Sequence, residues 1–76
     1  MNWQARIEIN PKVLCGKPVV KGTRLAVEFL LGLIAGGMAE GEILDAYPGL
    51  AREDLQACIA YAAFLLSTEH IYPVPA

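Results

Sequence analysis

The chain has 76 residues, 55% hydrophobic and 18% charged, with a net charge of −2. That length allows one domain, and a chain so short hides only about 60% of its unfolded surface, so this much apolar side chain points to an oligomer or a complex. The slight acidity argues against a general nucleic-acid coat, the charge-free run Leu55 to Thr68 is shorter than the roughly 20 residues of a membrane helix, and two cysteines without C-x-x-C make neither a disulfide framework nor a zinc pattern.

The opening MNWQARIEIN lacks the apolar core of a signal peptide, so a cytoplasmic protein with reduced thiols and no membrane contact is expected. Ile7 and Ile9 alternate with polar neighbours, the period of a short strand. Asn10-Pro11 sets a bend, and Gly16 and Pro18 punctuate again. Val19-Val20 then make a second short strand that ends at Lys21-Gly22-Thr23. The segment 1–25 therefore reads as a β-hairpin or a pair of extended arms.

The first helix is AVEFLLGLIAGG, with Glu28 its only charge; a helix so apolar is expected to be buried on most sides. Gly36-Gly37 stops it. The second, EGEILDAY, offers Ile43, Leu44 and Tyr47 and ends at Pro48-Gly49. The third runs from about Arg52 to about Ser67 and carries two apolar stripes. Leu55, Cys58, Ile59, Ala62 and Leu66 have the spacing of a core-facing side. Ala57, Tyr61, Phe64 and Leu65 form another, expected to meet a different chain. Ala39 and Ala51 stand where capping residues belong, with Glu42 and Asp54 three positions on, so each helix start keeps half a capping box. The tail 68–76 holds Ile71, Tyr72 and Val74, and Pro73 and Pro75 bar helix there. The expectation is one mainly α domain over 1–67: a β arm, then three helices over 26–67.

Helices two and three, joined by Pro48-Gly49-Leu50, follow the helix-turn-helix plan, with Leu44, Leu50, Leu55 and Cys58 in the buried positions. Arg52 and Gln56 then sit where a recognition helix meets bases, although Glu53 and Asp54 oppose phosphates there and equally suit a helix N-terminus. Charge is divided unevenly. Residues 1–27 carry five basic side chains against Glu8 (net +4), and residues 28–76 carry Arg52 against seven acids (net −6). Lys17, Lys21, Thr23 and Arg24 are thus candidate phosphate contacts. The competing reading makes Gly16 and Gly22 plain turn residues and pairs Arg24 with Glu28. Catalysis has little support: His70 is the only histidine and lies in the tail, Cys15 has no base near it in sequence, and Cys58 reads as core. Trp3 and Tyr72 suit either an interface or ordinary packing.

The ordered pieces NP, CGKPVVKGTR, AGGM, EILDAYPGL and EDLQACIAYA, spread over Ile9–Leu66, resemble the prokaryotic family known as domain of unknown function 433. The resemblance implies a short β N-terminus followed by a homeodomain-like trihelical helix-turn-helix. It also implies a type II antitoxin that neutralises a PIN-like ribonuclease toxin, binds operator DNA and is a homodimer, with no enzymatic activity, cofactor or metal. On that footing Lys17, Lys21, Thr23, Arg24, Arg52 and Gln56 are assigned to DNA. Tyr61, Phe64, Ile71, Tyr72 and Val74 are assigned to the toxin. The chain departs from the family pattern at Ala26, Ala39 and Ala51, where Pro, Ser and Thr are favoured. The alternative is an interaction module that uses the helix-turn-helix only as a scaffold and ignores DNA.

Overall fold

A computed structural model describes residues 2–68. A 3-10 turn at Trp3–Ala5 leads into β1 (Ile7–Ile9), and a loop with a second 3-10 turn at Leu14–Gly16 leads to β2 (Pro18–Val20). Three helices follow: α1 (Val27–Ala35), α2 (Glu40–Ala46) and α3 (Arg52–Thr68). The strands are antiparallel, with Ile7 opposite Val20, Glu8 opposite Val19 and Ile9 opposite Pro18. The N-terminal segment is therefore a hairpin rather than separate arms, and the protein is mainly α with a trihelical body. Thr68 is the last residue of α3 and not the first of a tail; the rest of the tail expectation, 69–76, lies outside the described residues.

The hairpin register has a simple cause. Ile7 and Val20 both face inward and are buried, so a one-residue slip would turn both outward. Val19 is also fully buried, and it bridges to Ala26 as the chain turns into α1. Leu14 and Cys15 take positive φ (46° and 56°) ahead of Gly16. That conformation costs a side-chain-bearing residue about 1–2 kcal/mol, which the surrounding loop has to hold.

α1 ends in a Schellman arrangement. The Met38 N–H donates to the Leu33 carbonyl and the Gly37 N–H to that of Ile34, while Gly37 sits at φ +93°, where only glycine is comfortable. The half capping boxes form as expected. The Ala39 N–H donates to Glu42 Oε1 (2.9 Å) and the Ala51 N–H to Asp54 Oδ2 (2.8 Å). An alanine side chain returns no bond, so one orphan donor at each helix start goes without its usual partner.

The core joins Ile7 and Val20 of the hairpin, Val27 and Leu30 of α1, Ile43 of α2, Leu50 of the turn and Leu55, Ala57, Cys58 and Tyr61 of α3. Two expectations need correction. α1 is not buried on most sides: Val27 and Leu30 are enclosed, but Phe29 is exposed and Leu31, Leu33 and Ile34 are only partly covered. The inward face of α3 is also turned from its expected phase. Residues 54, 57, 58 and 61 face the core, while Ile59 and Leu66 point outward. The cause is the N-terminal turn. Trp3 lies against Tyr61 (ring centroids 4.7 Å) and Phe64 (5.3 Å), so it packs the second stripe inward.

One polar link borders this core, half open to solvent on its Arg6 side. Arg6 Nη1 donates to Asp54 Oδ1 at 2.9 Å, and Asp54 is nearly buried. Asp54→Ala removes a charge-assisted bond and the Ala51 cap together, and should lower stability by about 2–3 kcal/mol. For a chain of this size that is a fall in Tm of roughly 10–20 °C, readable by calorimetry. Lys17→Ala and Arg52→Ala, which break exposed pairs, should each stay within about 1 kcal/mol of the parent.

Burial pushes the Cys58 thiol up to about 11, with Asp54 adding to the effect. Its folded pKa is thus above the ordinary 9.0, so the folded state holds the proton longer than the unfolded chain. Below pH 9 this group adds no pH dependence. From pH 9 towards 11 the unfolded chain ionises first and stability falls. Thermal melts across that range should show the extra alkaline loss in the parent and lack it in Cys58→Ala.

Candidate functional site

Two surfaces hold the candidate residues, and different physics shapes each. The first is the turn between β2 and α1. The Thr23 N–H donates to the Val20 carbonyl across Lys21-Gly22, with Gly22 at φ +80°, the geometry of a turn whose third residue must be left-handed. The Thr23 hydroxyl donates to the same carbonyl (2.8 Å) and accepts the Leu25 N–H (3.0 Å). Its hydroxyl hydrogen is therefore engaged inside the turn, where Thr23 acts as a turn-forming residue. Lys21 and Arg24 project from this tight loop into solvent, and neither is in an ion pair among the described residues.

The other basic candidates are placed elsewhere. Lys17 bonds Glu28 at 2.5 Å, so Glu28 pairs with Lys17 and not with Arg24 as the helical spacing had suggested. Hydrogen bonding and attraction to Glu28 raise the Lys17 pKa above its ordinary value. Arg52 faces Glu40 at 3.3 Å. Gln56 is exposed one turn further along α3. At the start of α3 one of the two acids expected to oppose phosphates, Asp54, is buried and paired with Arg6, which leaves Glu53 as the exposed acid there. The structure thus brings Lys21 and Arg24 together, separates Lys17 from them by its pairing, and sets Arg52 and Gln56 apart on α3.

The second surface is an apolar groove of about 300 Å³ where β2, α1 and α3 meet. Pro18, Val27, Leu31, Tyr61 and Leu65 line it, and the Lys17–Glu28 pair stands beside them. Tyr61 is only 8% exposed and belongs to the core, so it serves as a wall and not as a free contact. Phe64 is exposed on its outer side while Trp3 covers the other. Ile71, Tyr72 and Val74 lie outside the described residues. Sequence reading placed Leu65 on an outer stripe but missed Pro18, Val27 and Leu31 as its neighbours, because nothing local joins a strand start to two helices. Leu44 of the helix-turn-helix is half-buried, and Leu50, Leu55 and Cys58 are buried as that plan requires. Cys15 is exposed. Among the described residues no group of three or more His, Cys, Asp or Glu could hold a metal ion, and no helix is long and apolar enough to cross a membrane.

Known proteins resemble this chain in sequence or in fold. An uncharacterized protein of Sinorhizobium fredii, y4eO, is 36% identical over 53 residues, which are 70% of this chain and 24% of that protein. The chain thus spans about a quarter of the length of that curated relative. The crystal structure of a DUF433 member from Anabaena variabilis superposes with a TM-score of 0.78 at 34% identity, over 86% of this chain and 64% of that one. The family model described as a protein of unknown function (DUF433) matches residues 7–62, from the first strand to the third turn of α3 and beyond Tyr61, and on that match the chain belongs to the DUF433 family.

Proposed function

We propose that this chain is a non-enzymatic, antitoxin-like protein that seats apolar side chains of a PIN-like ribonuclease in the groove between β2, α1 and α3. The observation that carries this reading is the groove itself: an open, apolar recess beside exposed Phe64 and Leu65 in a chain too small to leave such surface idle. Binding there covers the recess, and the Lys17–Glu28 pair at its edge stays half-solvated as part of a polar rim. The protein acts in the cytoplasm. Operator contact is a second task, carried by Lys21 and Arg24 from a rigid turn; such contacts fix position on DNA without reading sequence.

The three ion pairs favour a second reading. Arg6, Lys17 and Arg52 are each paired with an acid, which removes half of the six basic residues from easy phosphate contact. On that reading the chain binds its protein partner and leaves DNA alone.

Titrating the chain into a PIN-like ribonuclease encoded beside it should abolish RNA cleavage at a fixed stoichiometry. Leu65→Asp should weaken the complex at least about tenfold with an unchanged circular dichroism spectrum. Normal nuclease activity in the presence of excess chain would overturn the antitoxin reading. Operator binding is separable: Lys21→Ala with Arg24→Ala should weaken it across sequences and flatten its salt slope by roughly two. An unchanged slope would favour the DNA-independent module.

A further inference from the structure

The groove walled by β2, α1 and α3 opens beside the end of α3. Two of its wall residues, Tyr61 and Leu65, belong to that helix, which closes at Thr68. At the helical rise they sit about 10 Å and 5 Å back along the axis from Thr68. The sequence runs on through Glu69, His70, Ile71, Tyr72, Pro73 and Val74. Such a segment reaches roughly 20 Å when extended. That length allows a reversal at Glu69-His70 and still carries Val74 back past Tyr61.

Local chemistry sets the form of this segment. Pro73 and Pro75 bar helix, and a residue that precedes a proline is driven to extended backbone, which applies to Tyr72 and Val74. The chain therefore has to leave the axis of α3 as an extended stretch. In that form Tyr72 and Val74 present their side chains on one side. Prolines have already removed much of the freedom that docking would cost, which is why extended, proline-bearing segments suit apolar grooves.

Size and charge agree with this occupant. The groove holds about 300 Å³. A cavity of about 150 Å³ accepts one benzene ring, so there is room for the Tyr72 ring and one branched aliphatic side chain. The groove is apolar at Pro18, Val27, Leu31 and Leu65, with Lys17 and Glu28 at its edge. The segment has the same order: Glu69 comes first, next to the helix, and the apolar side chains follow. Lys17 carries three donors, and its bond to Glu28 leaves others for Glu69. Tethering favours the chain's own segment over a second copy, since a short link holds it at an effective concentration on the order of millimolar.

We infer that residues 69–74 turn back over the end of α3 and seat Tyr72 and Val74 in the groove of the same chain, covering it until a partner displaces them. The contact is made within an isolated chain, so it does not rest on the antitoxin reading of that groove.

Nuclear Overhauser spectra of the full chain should show contacts from the Tyr72 ring to the Leu31 and Leu65 methyl groups. In an equal mixture of isotope-labelled and unlabelled chains, those contacts should stay within one copy. Tyr72→Ser should shift the Leu31 and Leu65 methyl resonances, because the ring current is lost, and leave those of buried Ile43 in place. Methyl resonances of Leu31 and Leu65 that do not move in Tyr72→Ser would overturn the inference. Contacts found only between labelled and unlabelled copies would overturn it too, in favour of a second chain in the groove. Nuclease inhibition is read in a separate assay, so either reading can fail while the other stands.

Discussion

The contact between Arg6 and Asp54 ties the two halves of this small protein together. The residues are 48 positions apart, and their link sets the first strand against the start of the last helix. Asp54 uses one carboxylate oxygen for Arg6 and the other for the Ala51 N–H. It is at once a tertiary bond and the surviving half of a capping box. With Ala51 unable to cap, the carboxylate is the group that orders the first turn of α3. Trp3 extends the same junction by packing on Tyr61 and Phe64 further along the helix. The position of the hairpin, the roll of α3 and the shape of the groove between them all follow from that junction.

The division of charge along the chain changes meaning once the fold is known. A basic front and an acidic back suggest a protein with two electrostatic faces. Folding instead brings Arg6 to Asp54, Lys17 to Glu28 and Arg52 to Glu40. Opposite ends of the sequence largely neutralise one another, and among the described residues the hairpin-side cations outside these pairs are Lys12, Lys21 and Arg24. Two of these sit on a turn whose geometry Thr23 holds from within. A small, doubly charged loop is a modest electrostatic feature.

Apolar surface is the more demanding feature of the molecule. A 76-residue chain at 55% hydrophobic content cannot enclose all of it, and among the described residues the excess appears at Ile9, Leu14 and Phe29 and along α3. The groove is concave and walled by three elements, which fits individual side chains of another protein. The outer face of α3 is uncharged, with Ile59 and Leu66 exposed on it.

Much of this was legible from residue order. Short alternation at Ile7 and Ile9, the Gly36-Gly37 and Pro48-Gly49 stops, the half boxes at Glu42 and Asp54 and the core place of Cys58 are local signals. Each depends on backbone geometry within a few residues, so two short extended segments and three helices, in order, follow from sequence by itself, while the pairing of the strands into a hairpin came with the fold. The inward side of α3 did not. Two apolar stripes lie on that helix, and periodicity alone cannot rank them. The choice fell to Trp3 and Arg6, whose partners on α3 lie far away in the sequence, 48 positions for Arg6, and are invisible to any local pattern. The same holds for the partner of Glu28: helical spacing favoured Arg24, but the hairpin delivers Lys17. Sequence determined which elements form. Tertiary structure decided which of their faces are spent on one another, because burial and ion pairing depend on contacts made only once the chain has closed.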